Sequence, residues 1–79
     1  MVTPESIRSS IESGLACERV EVVGDGQHFQ ALVVSAAFAG KSRIQRHQLV
    51  YAALGERMRE EVHALSMKTL TPEEFAAGG

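Results

Sequence analysis

Two histidines and a run of bases are the residues of this 79-residue chain whose types and spacing can do chemistry. His28 follows the turn residues Gly24-Asp25-Gly26 and precedes the apolar run Phe29 to Val34, and His63 sits at the start of the run Val62 to Thr69. Each histidine therefore stands at the start of a predicted strand. A helix between the two strands makes them parallel, which puts both starts at the same end of the sheet. Neighbouring strands lie ~4.8 Å apart and next neighbours ~10 Å apart, so the two imidazoles can converge. Two imidazoles fill only half of a tetrahedral metal site, which suggests a ligand set shared with a partner. The second constellation is Lys41, Arg43 and Arg46, three bases with no acid between them. It reads either as a solvated helix end or as a contact surface.

Other reactive side chains read as structural. His47 falls on the apolar stripe of the long helix and is expected to be a packed, hydrogen-bonded histidine. Cys17 follows the first helix, away from the hairpin tip, and is expected to be a small buried hydrophobe rather than a ligand. Asp25 is expected to order its own loop by a local side-chain bond. Gly24-Asp25-Gly26 is not a phosphate loop, because a strand follows it instead of a helix N-terminus. No nucleophile–base–orienter set and no paired carboxylates stand out, so an enzyme is not the expected reading.

The elements that must position these residues are legible. Thr3-Pro4-Glu5 is a helix start: Thr caps, Pro suits the first turn and Glu favours the positive end of the helix dipole. Ile7, Ile11 and Leu15 mark one face, so helix 1 runs to about Leu15. Arg19-Val20-Glu21-Val22 alternates as a strand, and Phe29 to Val34 returns as its hairpin partner. Ser42 caps helix 2, whose expected core stripe is Ile44, His47, Val50, Tyr51, Leu54 and Met58. Arg43 and Arg46 are placed off that stripe, so that charge reversal there should spare the fold. Gly55 inside the helix is expected to permit close packing. Val62 to Thr69 is strand 3, and Thr71-Pro72-Glu73-Glu74 starts a last helix with Glu74 placed for a capping box. The order is αββαβα: one small α+β (α/β) domain over residues 1–79, with a three-stranded mixed sheet, helices on one face and a right-handed crossover between strands 2 and 3.

The bulk properties agree with a globular domain. The hydrophobic share is 44%, which argues against disorder. Nothing approaches the roughly 20 apolar residues of a membrane span, and no charged leader precedes an apolar run, so a cytoplasmic location is expected. A single cysteine fits a reducing compartment. The net charge of −2 argues against indiscriminate nucleic-acid binding.

The ordered set Phe38-Ala39-Gly40-Lys41-Ser42-Arg43-Ile44-Gln45-Arg46-His47-Gln48-Leu49-Val50, then His63 to Phe75, resembles the BolA-like family, whose architecture is related to one class of KH domain. The likeness runs from about Ile7 to Phe75, and the hairpin Val23 to Phe29 is similar to that of the bacterial IbaG branch. The resemblance implies a heterodimer with a monothiol glutaredoxin around a shared [2Fe–2S] cluster, and no cluster when alone. Glutaredoxin and glutathione would each give a thiolate. His63, at the start of strand 3, and His28, in the hairpin loop, would be the metal ligands. This mixed ligation resembles the Rieske arrangement. Some members bind DNA through the start of helix 2 and strand 3. That makes Lys41, Arg43, Arg46 and Lys68 the partner or nucleic-acid contacts and a weakly DNA-binding regulator of stress or envelope genes the alternative. The GXXG clamp of nucleic-acid KH domains is absent, since Ala39-Gly40-Lys41-Ser42 holds one glycine. Phe75 stands where the family usually carries Trp, and the longer basic tail of some relatives is missing.

Overall fold

The computed structural model describes residues 2–25, 27–61 and 64–78, with the backbone alone over 57–61. The elements are α1 (Pro4–Gly14), β1 (Arg19–Gly24), β2 (Phe29–Val34), a 3₁₀ turn (Ala36–Phe38), α2 (Arg43–Glu61), β3 (Leu65–Leu70) and α3 (Pro72–Ala76). The strands form one sheet ordered β1-β2-β3, with β1 and β2 antiparallel and β2 and β3 parallel. This is the expected αββαβα α+β fold with one short turn added. β3 runs from Leu65 to Leu70, one residue past the expected end, and Ala64 before it is not part of the strand, so β3 starts later than the expected Val62; Val62 and His63 themselves lie outside the described residues.

Each helix starts where its capping residues dictate. Thr3 accepts a bond from the Ser6 N–H at 3.1 Å, and Ser6 Oγ accepts one from the Thr3 N–H at 3.0 Å. Ser42 and Gln45 exchange the same pair of bonds at the start of α2, at 2.9 and 3.2 Å, and Thr71 and Glu74 do so at α3, at 2.8 and 3.1 Å. Reciprocal capping satisfies two otherwise orphaned N–H groups per helix.

The core lies between α1, α2 and one face of the sheet. Ile7 and Ile11 meet Val20, Phe29, Ala31, Val33, Phe38, Val50 and Leu54 there. Strand alternation sends Glu21, Gln30 and Lys68 to the other face, where they are exposed. Ser35 closes the far end of the sheet. It is fully buried, donates from Oγ to the Ala16 carbonyl at 2.6 Å, accepts from the Ala37 N–H at 3.1 Å, and donates its own N–H to the Leu70 carbonyl at 3.0 Å. Those bonds turn the chain into the 3₁₀ segment, which drops Phe38 into the core and delivers α2 over β3.

Two expectations for α2 need correcting. Ile44 is 71% exposed and is not core, while Val50 is 0% and Leu54 5% exposed. At 3.6 residues per turn Ile44 lies about 120° from Val50, so the buried line is centred on Val50 and passes through Arg46 instead. His47 and Tyr51 are half-buried, and the Met58 side chain lies outside the described residues. Gly55, at φ 81° and ψ 162°, leaves the helical conformation and kinks α2. An added Cβ there would meet nothing within 4 Å, so this glycine serves backbone conformation and not packing; that region is essentially reserved for glycine. The close approach lies instead at Gly14, where a Cβ would sit 2.7 Å from Ala53 Cα and 2.9 Å from its carbonyl oxygen.

Arg46 corrects the expectation that it is a free surface base. Its Nε donates to the Lys41 carbonyl at 3.0 Å, and Nη1 donates to the Thr69 carbonyl at 3.0 Å. Nη1 and Nη2 reach the two Glu74 carboxylate oxygens at 2.7 and 3.3 Å. Its guanidinium carbon lies 5.9 Å from the centre of the Phe38 ring. The side chain is 14% exposed. The start of α2, the edge of β3, α3 and the 3₁₀ turn all meet at this one planar group, whose fork suits bidentate carboxylate binding.

Two stability measurements follow from this packing. Gly14→Ala should cost about 1–3 kcal/mol and lower Tm by about 4–8 °C per kcal/mol. Adding Ala53→Gly should recover little of that, since backbone atoms of Ala53 make the closest contacts. Arg46→Ala should cost about 2 kcal/mol, whereas Arg43→Ala, on an exposed residue, should stay within about 0.5 kcal/mol of the parent. The Arg46 guanidinium, and next the Thr71 N–H, hold the Glu74 carboxyl down at about 2, from 4.5. Because the folded value is depressed, the stabilisation is complete above pH 4.5 and is lost as pH falls towards 2. Thermal melts of Glu74→Gln should therefore be flatter than the parent across that acid window. Asp25, whose carboxyl is also lowered, by the His28 and Gln27 N–H groups, supplies the slope that remains.

Candidate functional site

At the hairpin end, the turn that carries His28 is held by one carboxylate. Asp25 Oδ1 accepts from the Gln27 and His28 N–H groups, both at 2.9 Å, and the Asp25 N–H donates back to the His28 carbonyl at 3.2 Å. The local side-chain bond expected of Asp25 is there. Immediately after His28, Phe29 is 3% exposed, which anchors the strand that the histidine opens. Gly24 lies opposite, where a Cβ would come 2.5 Å from the Phe29 ring, so the ring fills the space that a side chain would need. His28 thus presents an exposed imidazole beside main-chain groups that Asp25 bonds.

His63 lies outside the described residues. Its neighbour Ala64 is described, and the Ala64 carbonyl accepts the Phe29 N–H at 2.8 Å. Phe29 then pairs with Leu65 in the parallel register. The chain neighbours of the two histidines are therefore joined by one hydrogen bond, at the end of the sheet where the sequence puts both. Cys17 is at the other end. It precedes β1 by two residues, and Arg19 pairs with Val34 while Gly24 pairs with Phe29, a separation of about 17 Å along the strand. Burial, and next the charge of Glu12, push its thiol up, and the side chain packs against the core. The donors this chain brings to its hairpin end are thus imidazole and not thiolate.

The bases are brought together beside β3. Lys41, Arg43, Arg46 and His47 from the start of α2, with Met67, Lys68 and Thr69 from β3, enclose a hollow of about 370 Å³. Of the four expected contact residues, Lys41, Arg43 and Lys68 are exposed and form no ion pair among the described residues. Arg46 borders the hollow but is committed to Glu74 and Thr69. His47 is the residue that the sequence reading missed. It is half-buried at the hollow and makes no hydrogen bond among the described residues, in contrast to the packed, bonded histidine expected. Burial, and next the charge of Arg43, lower its pKa from the usual 6.5. The signal was its place one residue after Arg46, which the wrong phase of the helix stripe concealed. Among the described residues no helix is long and apolar enough to cross a membrane.

Comparison with known proteins agrees with this layout. A family model described as BolA-like protein matches residues 2–74. The acid stress protein IbaG of Escherichia coli K12 is 41% identical over 71 residues, covering 89% of this chain and 84% of the relative. The DNA-binding transcriptional regulator BolA of Haemophilus influenzae is 41% identical over 54 residues, covering 68% of this chain and 52% of the relative. A solved BolA homologue from Coxiella burnetii superposes with a TM-score of 0.85 at 48% identity, covering 96% of this chain and 99% of the other. With its mixed sheet and crossover helix in place and the family model matched over residues 2–74, the chain belongs to the BolA-like family.

Proposed function

We propose that this protein is a non-enzymatic iron–sulfur adaptor that pairs with a monothiol glutaredoxin and lends histidine ligands to a shared [2Fe–2S] cluster. The observation that supports this most is the bond from the Phe29 N–H to the Ala64 carbonyl at 2.8 Å, because it fixes the main chain beside both His28 and His63. The donor chemistry fits. Imidazole in place of thiolate is an accepted iron ligand and raises the cluster's potential, and the thiolates still needed would come from the glutaredoxin and from glutathione. Asp25 acts as a positioning residue, because its carboxylate orders the turn from which His28 projects. The cluster is cargo to be stored, passed on or sensed, and a cytoplasmic setting suits the exchange.

The test is reconstitution. The isolated chain, loaded anaerobically with iron and sulfide, should keep no stable cluster. With the glutaredoxin and glutathione added, visible absorption and circular dichroism should report one. His63→Ala and His28→Ala should each change that spectrum. Asp25→Ala should broaden or weaken it without removing a ligand. A His63→Ala complex with the parent's spectrum would reject the assignment.

A second reading, DNA binding, has its own support in Lys41, Arg43 and Lys68, three bases around one hollow with no ion-pair partner among the described residues, and in the name of the Haemophilus influenzae relative. Arg46 is already neutralised by Glu74, so this patch offers three cations for phosphate contact among the described residues. The log–log salt dependence of binding to duplex DNA should then have a slope of about −2.7, and the protein's net charge of −2 should weaken the approach further. Arg43→Glu with Lys68→Glu should abolish a gel shift while leaving the melt unchanged. Tight binding that persists in moderate salt would make the regulator reading the better one.

A further inference from the structure

We propose that the hollow between the start of α2 and the free edge of β3 is a binding site for a small dianionic oxyanion, a sulfate or the phosphoryl group of a small metabolite. The site stands apart from the cluster reading, since it shares no residue with the histidine end and needs no metal.

The lining argues for an anion. Lys41, Arg43 and Lys68 border the hollow without an ion-pair partner among the described residues. No carboxylate lines it among the described residues, and Glu74, bonded to the bordering Arg46, is occupied by that guanidinium. The backbone adds a donor. The Ala64 carbonyl bonds Phe29 and the Leu70 carbonyl bonds Ser35, so even-numbered residues of β3 turn their N–H and C=O groups towards β2. Odd-numbered residues then turn theirs towards the free edge, as the bond from Arg46 to the Thr69 carbonyl shows. The Thr69 N–H points to the same side as its carbonyl and faces the hollow. The first turn of α2 is not part of the argument, because Ser42 and Gln45 already cap it.

The size selects among anions. A volume of about 370 Å³ is at the low end of ligand pockets and equals about a dozen waters at ~30 Å³ each. A tetrahedral oxyanion with some of its waters fits inside, whereas a duplex could touch only the rim. His47 makes the site responsive to pH. The charged groups around it are Lys41 and Arg43 from its own segment and Lys68 from β3, all positive, with Arg46 offset by Glu74, and burial, then Arg43, lower its pKa. A bound dianion offsets that repulsion, so binding takes up a proton on His47 and strengthens as pH falls through the histidine range.

Sodium sulfate, which stays dianionic throughout, is the probe, titrated at constant ionic strength into the full chain without metal or glutaredoxin and followed by amide and imidazole NMR shifts. Saturable shifts centred on Thr69, Met67 and His47 are expected, several-fold tighter at about pH 5.5 than at about pH 7.5. Arg43→Ala and Lys68→Ala, both exposed and identifiable as folded by their spectra, should each weaken binding by about tenfold, whereas Arg8→Ala on α1 should not. His47→Gln should keep binding at the higher pH and lose the tightening at the lower. Shifts that rise linearly without saturating, or that are the same in Arg43→Ala and Lys68→Ala, would overturn the site. Displacement of sulfate by a short DNA duplex at stoichiometric concentration would overturn the small-ligand assignment in favour of backbone phosphate.

Discussion

The Arg46 guanidinium is the constraint from which the rest of the arrangement follows. One side chain on α2 bonds the Lys41 carbonyl before the helix, the Thr69 carbonyl on β3 and the Glu74 carboxylate on α3, and lies over the Phe38 ring. Lysine could not replace it, because a single ammonium cannot bridge three acceptors in one plane while stacking on an aromatic face. Glu74 has two roles in the same knot, since it also closes the capping box of α3 through the Thr71 N–H. Helix capping and tertiary docking are therefore coupled: freeing Arg46 leaves α3 with less to hold it, and breaking the cap frees Arg46. With the start of α2 fixed on β3, the hollow beside them has walls of defined geometry.

The second constraint is the parallel register of β2 and β3. Its ends are marked by the Phe29 to Ala64 bond at one extreme and the Ser35 to Leu70 bond at the other. A slip of one residue would invert every side chain of β3 between faces. It would expose Thr69, carry Lys68 into the core, and move the position of His63 relative to His28. The burial of Phe29, Ala31 and Val33 on alternate positions resists such a slip, and Gly24 allows the Phe29 ring to lie flat across the hairpin. Core packing on one face thus sets the chemistry at the sheet's end, although none of the core residues takes part in it.

Most of the fold was legible because its signals are local. Thr3-Pro4, Ser42 and Thr71-Pro72 start helices through contacts three residues long, and Gly24 to Gln27 can only be a turn. What was not legible depends on tertiary partners. The phase of α2 was misjudged because Ile44 is apolar and Arg46 is charged, yet the burial is reversed: a carboxylate 28 positions away in the chain makes Arg46 the inward residue. Sequence does not tell a kink from a close contact at Gly55, and Gly14, where α1 approaches α2 closely, sits at a helix end where glycine is ordinary. For the candidate site, the pairing of the strand starts could be deduced from topology. The half-buried state of His47 could not, since it depends on how Met67, Thr69 and Arg43 surround it.

The chemistry of this small domain is separated by position. Imidazole stands at the hairpin end, a thiol whose pKa burial raises lies at the opposite end of β1, and cations with no ion-pair partner among the described residues line the outer edge of β3. Imidazole suits soft or borderline metals, whereas ammonium, guanidinium and backbone N–H groups suit hard oxyanions. The two groups do not compete for one ligand. β3 links them, because Ala64 lies next to His63 and bonds Phe29, while Lys68 and Thr69 border the hollow four and five residues further on. That is a span of about 13–17 Å, longer than the Debye length of roughly 8 Å at physiological ionic strength. Direct electrostatic influence of one site on the other is therefore weak. Coupling between them would have to pass through the rigid strand or through a partner broad enough to cover both.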